Sequence, residues 1–330
     1  MDVGLRSLSH RRLAPYQAPH AATAQPQPEP EESGKDFPGR DGYDRQFLGE
    51  ALALPKLSAE HQADVAPLLS DPSQSELKYT HFSVVMSRMR RLPYLTAVNI
   101  DGAQLKSVAR KDRWFVDKRL ARENQLGNEA YTNNDLDKGH MVRRLDPVWG
   151  DDAVQADADT FVYTNCALQH KDLNRKEWSA LEDHILSHAR TSEQKMTVFT
   201  GPVLAKDDPE FDNSGRVVPS TQIPQQFWKM AVWNNPTDGL QGTAFVLSQE
   251  DLIDKEDQKD GKFDPGRFQM YQVPIDQLER MTGIDFGPVH DTVRQGRKLK
   301  TAADMFLGKA ALDKPIKLPA REMIRVQDDQ

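Results

Sequence analysis

The chain has 330 residues, with 43 lysines and arginines against 50 aspartates and glutamates, which gives a formal charge of −7. This length fits one large domain or two small ones, and the acidic balance excludes a strongly basic protein that coats nucleic acid by charge alone. The single cysteine, Cys166, excludes an internal disulfide. The sequence shows neither a Sec signal peptide nor a membrane span, so we expect a cytoplasmic protein or one exported by a non-Sec route.

The first 40 residues differ in composition from the rest of the chain. They are rich in proline and charge, especially over residues 24–32, and contain too few apolar side chains to offset the entropy of ordering. We therefore predict a disordered arm over residues 1–40, a single domain over residues 41–311 and a loosely held tail over residues 312–330.

Apolar segments bounded by turn residues predict the strands of the domain. Asp101-Gly102 is typical of a hairpin turn, which would lead into a strand over residues 105–110. The other predicted strands cover residues 77–86, 92–100, 161–168, 196–203, 227–232 and 242–247.

Helical periodicity is clearest over residues 173–189, where Trp178, Leu181 and Ile185 share one face. A shorter helix is predicted over residues 275–282, and the polar segment 251–266 is predicted to be a surface loop. Because strands and helices are mixed without regular βαβ alternation, the pattern favours an α+β fold.

The most informative motif is Asp137-Lys138-Gly139-His140. Gly139 permits a sharp turn or a close approach of another group, and an imidazole can take a proton from water near neutral pH. Taken alone, the tetrapeptide is more typical of an ordinary turn, since short motifs recur by chance.

Asn174 stands near the start of the predicted helix and has two interpretations. Asparagine is a favoured N-cap, and Glu177 three residues later would complete a variant of the capping box. Alternatively, its amide oxygen binds a hard divalent ion such as Mg²⁺, which often takes few protein ligands. Glu182, farther along the helix, either holds metal-bound waters or is a solvated glutamate.

Several motifs in order resemble those of the DNA/RNA non-specific endonucleases with a ββα-metal finger, the group that includes endonuclease G and bacterial sugar-non-specific nucleases. The resemblance extends over roughly residues 41–290. The matching positions are Arg110, Asp112, Trp114 and Asp117; Asp137-Lys138-Gly139-His140; Thr164-Asn165 and Gln169; Asn174 and Trp178; Leu181-Glu182; Gly201-Pro202; and Ile223-Pro224 with Phe227-Trp228-Lys229.

The resemblance implies a mostly antiparallel central sheet with helices on both faces, containing a ββα-metal finger. It implies Mg²⁺-dependent cleavage of DNA and RNA without sequence specificity, giving 5′-phosphate and 3′-hydroxyl ends, with Mn²⁺ as a substitute ion. Asn174 would bind the metal, His140 would activate water, and Arg110 would stabilise the phosphoryl oxygens. Asp137 and Asn165 would orient the finger. Family members are often dimers, so a homodimer is a candidate assembly.

The chain departs from the family pattern at three motif positions. One is Leu186, where some members have an arginine one helical turn beyond the glutamate. Lys138 replaces an arginine and loses the planar fork that grips phosphate at two points, and Leu168 replaces a proline. Residues 104–144 nevertheless hold ten basic and six acidic side chains, a local excess of positive charge. The candidate substrate-binding residues are Lys138, Arg113, Arg143 and Arg144.

Two other functions fit parts of the sequence. His184 and His188 have the i, i+4 spacing of a zinc site, but the sequence shows no third ligand. A catalytically silent nucleic-acid-binding or scaffold protein on the same fold would use rings such as Phe227, Trp228 and Trp233 to stack on bases. We expect Phe227 and Trp228 to be core residues instead.

Overall fold

The computed structural model describes residues 34–217, 221–249, 269–291 and 316–318. The predicted surface loop over residues 251–266, most of the predicted arm and most of the predicted tail lie outside these ranges.

Short strands and helices alternate along the described chain. In chain order the strands are β1 (Gly34–Lys35), β2 (Lys56–Leu57), β3 (Glu76–Tyr79), β4 (Phe82–Met86), β5 (Pro93–Asp101), β6 (Val116–Asp117), β7 (Leu136–His140), β8 (Cys166–His170), β9 (Lys195–Val203), β10 (Gln226–Asn235), β11 (Gly239–Ser248), β12 (Gln269–Val273), β13 (Ile284–Asp285), β14 (His290–Asp291) and β15 (Ile316–Leu318). The helices are α1 (Ala59–Asp64), α2 (Ala153–Asp159), α3 (Lys171–Leu173), α4 (Ser179–Thr191) and α5 (Ile275–Thr282), with a π-helical turn at Asn174–Trp178.

The core of the domain is a mostly antiparallel sheet. Within the described residues its strand order is β15-β12-β11-β10-β9-β5-β4-β3, and the short β14 lies parallel to β11. β10 occupies a central position, where Phe227 is paired with Pro202 of β9 and Leu247 of β11. The predicted α+β fold with an antiparallel central sheet is confirmed.

Both faces of the sheet are covered by helices, as predicted. Phe227 and Ala231 of β10 pack in one hydrophobic cluster with Trp178 of the segment that leads into α4. The intervening Trp228 packs in the opposite cluster with Leu278 of α5. Because strand side chains alternate between faces, β10 contributes to both cores. Phe227 and Trp228 have no exposed surface, so they are core residues and cannot stack on bases.

A two-stranded ribbon and a helix form the finger, which comprises β7, β8 and a finger helix made of α3, the π-helical turn and α4. In the antiparallel ribbon, Gly139 is paired with Ala167 and His140 with Cys166. A Cβ atom on Gly139 would lie 1.9 Å from Oε1 of Gln169, so only glycine permits the Gln169 side chain to cross the ribbon here. The predicted finger is therefore present.

The predicted strand over residues 105–110 is wrong. After β5 the chain forms a 3₁₀ turn at Gly102–Gln104, and Leu105 makes only an isolated bridge with Trp149. Gly102 packs directly against the end of α4, where a Cβ atom would lie 1.9 Å from the carbonyl oxygen of Ala189. This contact with the helix replaces a hairpin, and residues 106–114 follow without regular structure.

Three predicted boundaries also differ from the structure. Residues 77–86 are not one strand, because β3 ends at Tyr79 and the chain turns back into the antiparallel β4 at Phe82. Residues 161–168 are not one strand, because a 3₁₀ turn occupies Tyr163–Asn165 before β8 begins. Residues 34–40, predicted to belong to the disordered arm, lie against the domain: β1 pairs with β6, Phe37 is buried, and Arg40 binds Asp159 at 2.8 Å.

Candidate active site

Asn174 lies inside the finger helix and does not begin it. His170 caps the helix, since its Nδ1 accepts a hydrogen bond from the backbone N–H of Asp172 at 3.2 Å. The interpretation of Asn174 as an N-cap is therefore wrong. Asparagine is a poor former of helix interiors, and the turn that Asn174 opens is π-helical, a distortion frequent at functional sites.

The amide of Asn174 is oriented by Asp137. Its Nδ2 lies 3.0 Å from Oδ2 of Asp137, and an ionised carboxylate only accepts hydrogen bonds, so the NH₂ group faces it. The amide oxygen Oδ1 is directed elsewhere and is available to a hard cation. Arg175 grips the same carboxylate with contacts of 2.8 and 2.7 Å. The structure thus joins Asp137 and Asn174, which come from two separate motifs.

His140 ends β7 three residues after Asp137, and the finger helix also reaches it. The indole Nε1 of Trp178, one helical turn beyond Asn174, donates to the carbonyl oxygen of His140 at 3.4 Å. The finger helix therefore contacts both the side chain of Asp137 and the backbone of His140.

The imidazole of His140 packs among aromatic rings. Its centroid lies 4.9 Å from that of Trp114 and 5.4 Å from that of Phe161. Its Nε2 is buried and has no hydrogen-bond partner within the described ranges. Burial, followed by the charges of Arg110 and Arg144, lowers the pKa of His140 to about 3. The ring is therefore neutral near pH 7, and an anionic substrate beside it would increase its proton affinity.

Arg110, the residue predicted to contact the phosphoryl oxygens, has an exposed side chain. It pairs with exposed Asp112 at 2.7 Å and lies 5.6 Å from the ring centroid of Phe161, which also contacts His140. A surface pair of this kind is weakly held, so the guanidinium can exchange its partner for a phosphate.

Arg144 and Arg113 have different surroundings. Arg144 binds the buried Asp157 at 2.5 Å, yet its charge still acts on His140. Arg113 lies over the ring of Phe115, 5.0 Å from its centroid. Arg144 is thus already paired beside the imidazole, whereas Arg113 stacks on an aromatic ring.

Lys138 lies among three aromatic rings. Its Nζ is 5.7 Å from the ring centroid of Trp114, 5.5 Å from that of Tyr131 and 5.8 Å from that of Tyr163. Aromatic faces attract an ammonium group, so this arrangement stabilises the charge without a carboxylate. Lys138 and His140 are two residues apart on β7, so their side chains lie on the same side of the strand. Both contact the ring of Trp114.

Asn165 is fully buried just before β8. Its side chain binds the backbone of the segment that follows β7 and the backbone of Thr160. Its Oδ1 accepts from the backbone N–H of Val142 at 2.9 Å, and its Nδ2 donates to the carbonyls of Val142 and Thr160 at 3.0 and 3.1 Å. All of its polar groups are used within the protein. The geometry is that of a residue that holds the chain just after His140.

Glu182 is buried between two cations. Nζ of Lys229 lies 3.4 Å from its Oε1, and Nε of Arg143 lies 3.9 Å from its Oε2. Burial raises the pKa of Glu182 to about 7, although Lys229 and Arg143 act to lower it. The interpretation of Glu182 as a solvated helix glutamate is therefore wrong.

Arg143 lies in the segment after β7 and forms ion pairs with side chains of the finger helix. Besides Glu182 it binds Asp183, and its side chain is only 15% exposed. Because the guanidinium is committed to two carboxylates of the helix, this position does not favour contact with phosphate.

Three residues beside the site were given no role in the sequence analysis, although Lys229 occupies one of the matching motif positions. Lys229 lies in the middle of an apolar strand, an unusual place for a lysine, and this signal could have identified it. Asp146 is buried, and burial raises its pKa to about 6, but nothing in the local sequence indicates this. Arg175 directly follows Asn174 and could have been proposed as a partner of an acidic group.

The described residues contain no group of three or more histidine, cysteine or acidic side chains arranged to hold a metal ion. A zinc site at His184 and His188 therefore has no support from the structure. A magnesium site built on one amide oxygen and bound waters does not need such a group.

A cavity of about 640 Å³ lies away from the finger. Phe47, His81, Trp149 and Asp152 are among the residues that line it, and none of the predicted site residues does so. Small-molecule sites usually occupy such cavities, but this one does not include the candidate site residues of the finger. In the described ranges, no helix combines the length and the apolar character needed to cross a bilayer.

Comparisons with known proteins identify the family of the chain. A family model for the DNA/RNA non-specific endonucleases matches residues 65–292. The chain is 35% identical over 292 residues to an uncharacterized protein, y4fB, of Sinorhizobium fredii, covering 82% of this chain and 43% of that protein. It is 28% identical over 216 residues to a mitochondrial nuclease of Saccharomyces cerevisiae, covering 60% of this chain and 61% of that protein.

The chain thus spans about half the length of these curated relatives. A solved structure of the EndoG/EndoGI complex is similar over 64% of this chain and 85% of that chain, with 18% identity and a TM-score of 0.48. The family match extends over more than half of the chain and includes the whole finger. The chain therefore belongs to the DNA/RNA non-specific endonuclease family.

Proposed function

We propose that this chain is a metal-dependent endonuclease that hydrolyses DNA and RNA without sequence specificity, leaving 5′-phosphate and 3′-hydroxyl ends. Membership of the family supports nuclease chemistry, and the yeast relative is named a mitochondrial nuclease. The observation that carries the proposal is the contact of Asn174 with Asp137, three residues before His140 on the same strand. This contact supports the proposal, because Asn174 on the helix and His140 on the strand belong to the two sides of one finger.

The donor atoms fit a magnesium ion, with Mn²⁺ as a substitute. Asn174 would hold the ion through Oδ1, the atom that its bond to Asp137 leaves available. Glu182 follows about two helical turns later and adds a buried carboxylate that could hold the waters of the ion. When bound, the ion would supply Lewis-acid stabilisation of the charge that develops on the phosphoryl group.

In this mechanism His140 accepts a proton from water at Nε2, the buried atom that has no partner in the described structure. The water oxygen bonds to phosphorus, and the bond from phosphorus to the 3′ oxygen breaks. The 3′ oxygen keeps the electron pair and takes a proton from a neighbouring water, and the proton held by His140 returns to solvent. Arg110 adds positive charge beside the phosphoryl oxygens. Because water is the nucleophile, no ribose 2′-hydroxyl is needed, and both DNA and RNA are substrates.

The proposal is tested by incubating purified protein with plasmid DNA and with RNA, in Mg²⁺ and in excess chelator. Wild type should cut both substrates only with the metal, and Asn174→Ala should lose cleavage. Asn234→Ala is a matched control, since this asparagine lies on β10 and contacts the backbone of Leu48. Cleavage that survives both the chelator and Asn174→Ala would overturn the proposal, as would a strict requirement for the 2′-hydroxyl.

We also propose the homodimer that the family resemblance implies. Sedimentation equilibrium of the purified chain tests it directly. A monomer at micromolar concentration would overturn this assembly without affecting the proposed chemistry.

A further inference from the structure

Lys229 is a charged residue in one of the most buried parts of the sheet. Its side chain is 1% exposed, and it lies between Phe227 and Ala231 on the face of β10 that carries the finger. An ammonium group in such a place is stabilised only by close partners with good geometry. The partners of the ammonium group therefore indicate which parts of the molecule Lys229 holds together.

The ammonium of Lys229 makes two hydrogen bonds and one ion pair with three separate parts of the molecule. It donates to Oγ1 of Thr200 on β9 at 2.9 Å and to the carbonyl oxygen of Met141 at 3.3 Å. Its third partner is Oε1 of Glu182 on the finger helix, at 3.4 Å. Met141 directly follows His140, so one charge links the sheet, the strand side of the site and the helix side.

Trp178 provides a second link between the same elements. Nζ of Lys229 lies 4.8 Å from the centroid of the Trp178 ring, a distance at which the aromatic face attracts the cation. The indole N–H of Trp178 donates in turn to the carbonyl oxygen of His140. Lys229 therefore supports two successive backbone carbonyls, that of Met141 directly and that of His140 through Trp178.

The charges around Glu182 show why a cation is needed there. Lys229 faces it from β10, while Arg143 and the buried Asp146 face it from the segment after β7. Arg143 is shared with Asp183. Without Lys229, the two buried carboxylates would depend on a single arginine that already has another partner.

We propose that Lys229 is a positioning residue that docks both halves of the finger onto the central sheet and holds Glu182 in place for catalysis. The proposal deepens the nuclease function and rests on it. Lys229 touches neither substrate nor metal in this scheme, and it acts through Glu182 and the backbone next to His140.

The first test compares Lys229→Met with Lys229→Arg. The methionine keeps the length of the side chain without the charge, so kcat should fall about 10–100-fold, the range typical of groups that orient metal-site residues. The KM for DNA should change less, and the arginine should restore part of kcat. Lys195→Met is the matched control, because this exposed lysine of the adjacent strand lies over Phe47. A Lys229→Met enzyme with wild-type kcat would overturn the proposal.

A double-mutant cycle with Glu182→Gln separates positioning from general stability. If Lys229 acts through Glu182, Lys229→Met should lower kcat much less in the Glu182→Gln background than in wild type. Equal losses in both backgrounds would overturn the proposal.

The pairing of Lys229 with Glu182 can also be tested without metal and without any nuclease assay. Carboxyl ¹³C NMR follows the titration of Glu182, whose signal is identified by its loss in Glu182→Gln. Lys229→Met should move this titration to higher pH, because the cation that favours the ionised carboxylate is removed. An unchanged titration would overturn the pairing. Inactive wild-type protein with the expected NMR shift would instead overturn the proposed nuclease function.

Discussion

The two faces of the central sheet have opposite character. The face under α5 is apolar, with Phe199, Trp228 and Phe286 in edge or tilted ring contacts at centroid distances of 5.3 and 6.2 Å. The face under the finger buries Lys229 and Glu182 within its hydrophobic cluster. Apolar contacts tolerate small shifts, whereas buried charges need specific partners. The comparison teaches that one face is stabilised by apolar packing, whereas the other buries an ion pair beside the candidate site.

The largest expected effect on activity comes from the finger face. His140→Ala should lower the rate of plasmid cleavage about 10²–10⁴-fold, since a general base contributes that much. The rate is measured per folded protein, because removing an imidazole packed against Trp114 and Phe161 also leaves a cavity. His188→Ala, on the same helix as Asn174 but in its last turn, is the control and should retain the wild-type rate. Comparable rates for the two variants would contradict the assignment of His140.

The opposite face should respond in stability instead. Phe199 is fully buried there, so Phe199→Ala should lower the free energy of unfolding by about 3–5 kcal/mol. Urea denaturation measures this loss, and kcat of the protein that remains folded should equal that of wild type. A large fall in kcat at unchanged stability would remove the distinction between the faces.

Asp137→Asn should produce a smaller effect within the finger. The change removes the carboxylate that orients the amide of Asn174, so the Mg²⁺ concentration for half-maximal activity should rise about 10–100-fold. Asp135→Asn is the control, since Asp135 pairs with Lys171 at 2.6 Å and takes no part in the contact between Asp137 and Asn174. An unchanged metal requirement in Asp137→Asn would argue against Asn174 as the ligand.

The smallest expected effect is the change of kcat/KM with pH. Burial raises the pKa of Glu182 to about 7, so the carboxylate is ionised above this pH and protonated below it. If the ionised form is required, kcat/KM should fall by about tenfold for each pH unit below 7. His140 gives no acid limb in this range, because its pKa in the free protein is about 3. Glu182→Gln should have a lower and flatter profile, and an unchanged acid limb in this variant would contradict the assignment.

Sequence motifs were sufficient to predict the ββα finger and the residues on its two sides. Asp137 and Asn174 were each recognised from a short local pattern, and the structure joins them. The interpretation of Asn174 as an N-cap was wrong because His170, four residues earlier, caps the helix. Local propensity could not decide between the two, since both residues can act as caps.

Long-range contacts decided the features that the sequence did not reveal. Gly102 was predicted to form a hairpin turn, but it packs against Ala189 at the end of α4. Lys229 and Glu182 are 47 residues apart in the chain and meet only because the finger helix lies across β10. No periodicity within either segment encodes this contact.

The sequence by itself determined the α+β class, the central strands and the reactive residue types, because alternation, helical period and motif spacing are local properties of the chain. Only the tertiary structure decided which charges are buried together. Burial depends on packing between distant segments, and it is burial that shifts the pKa values of His140 and Glu182 and gives Lys229 its partners.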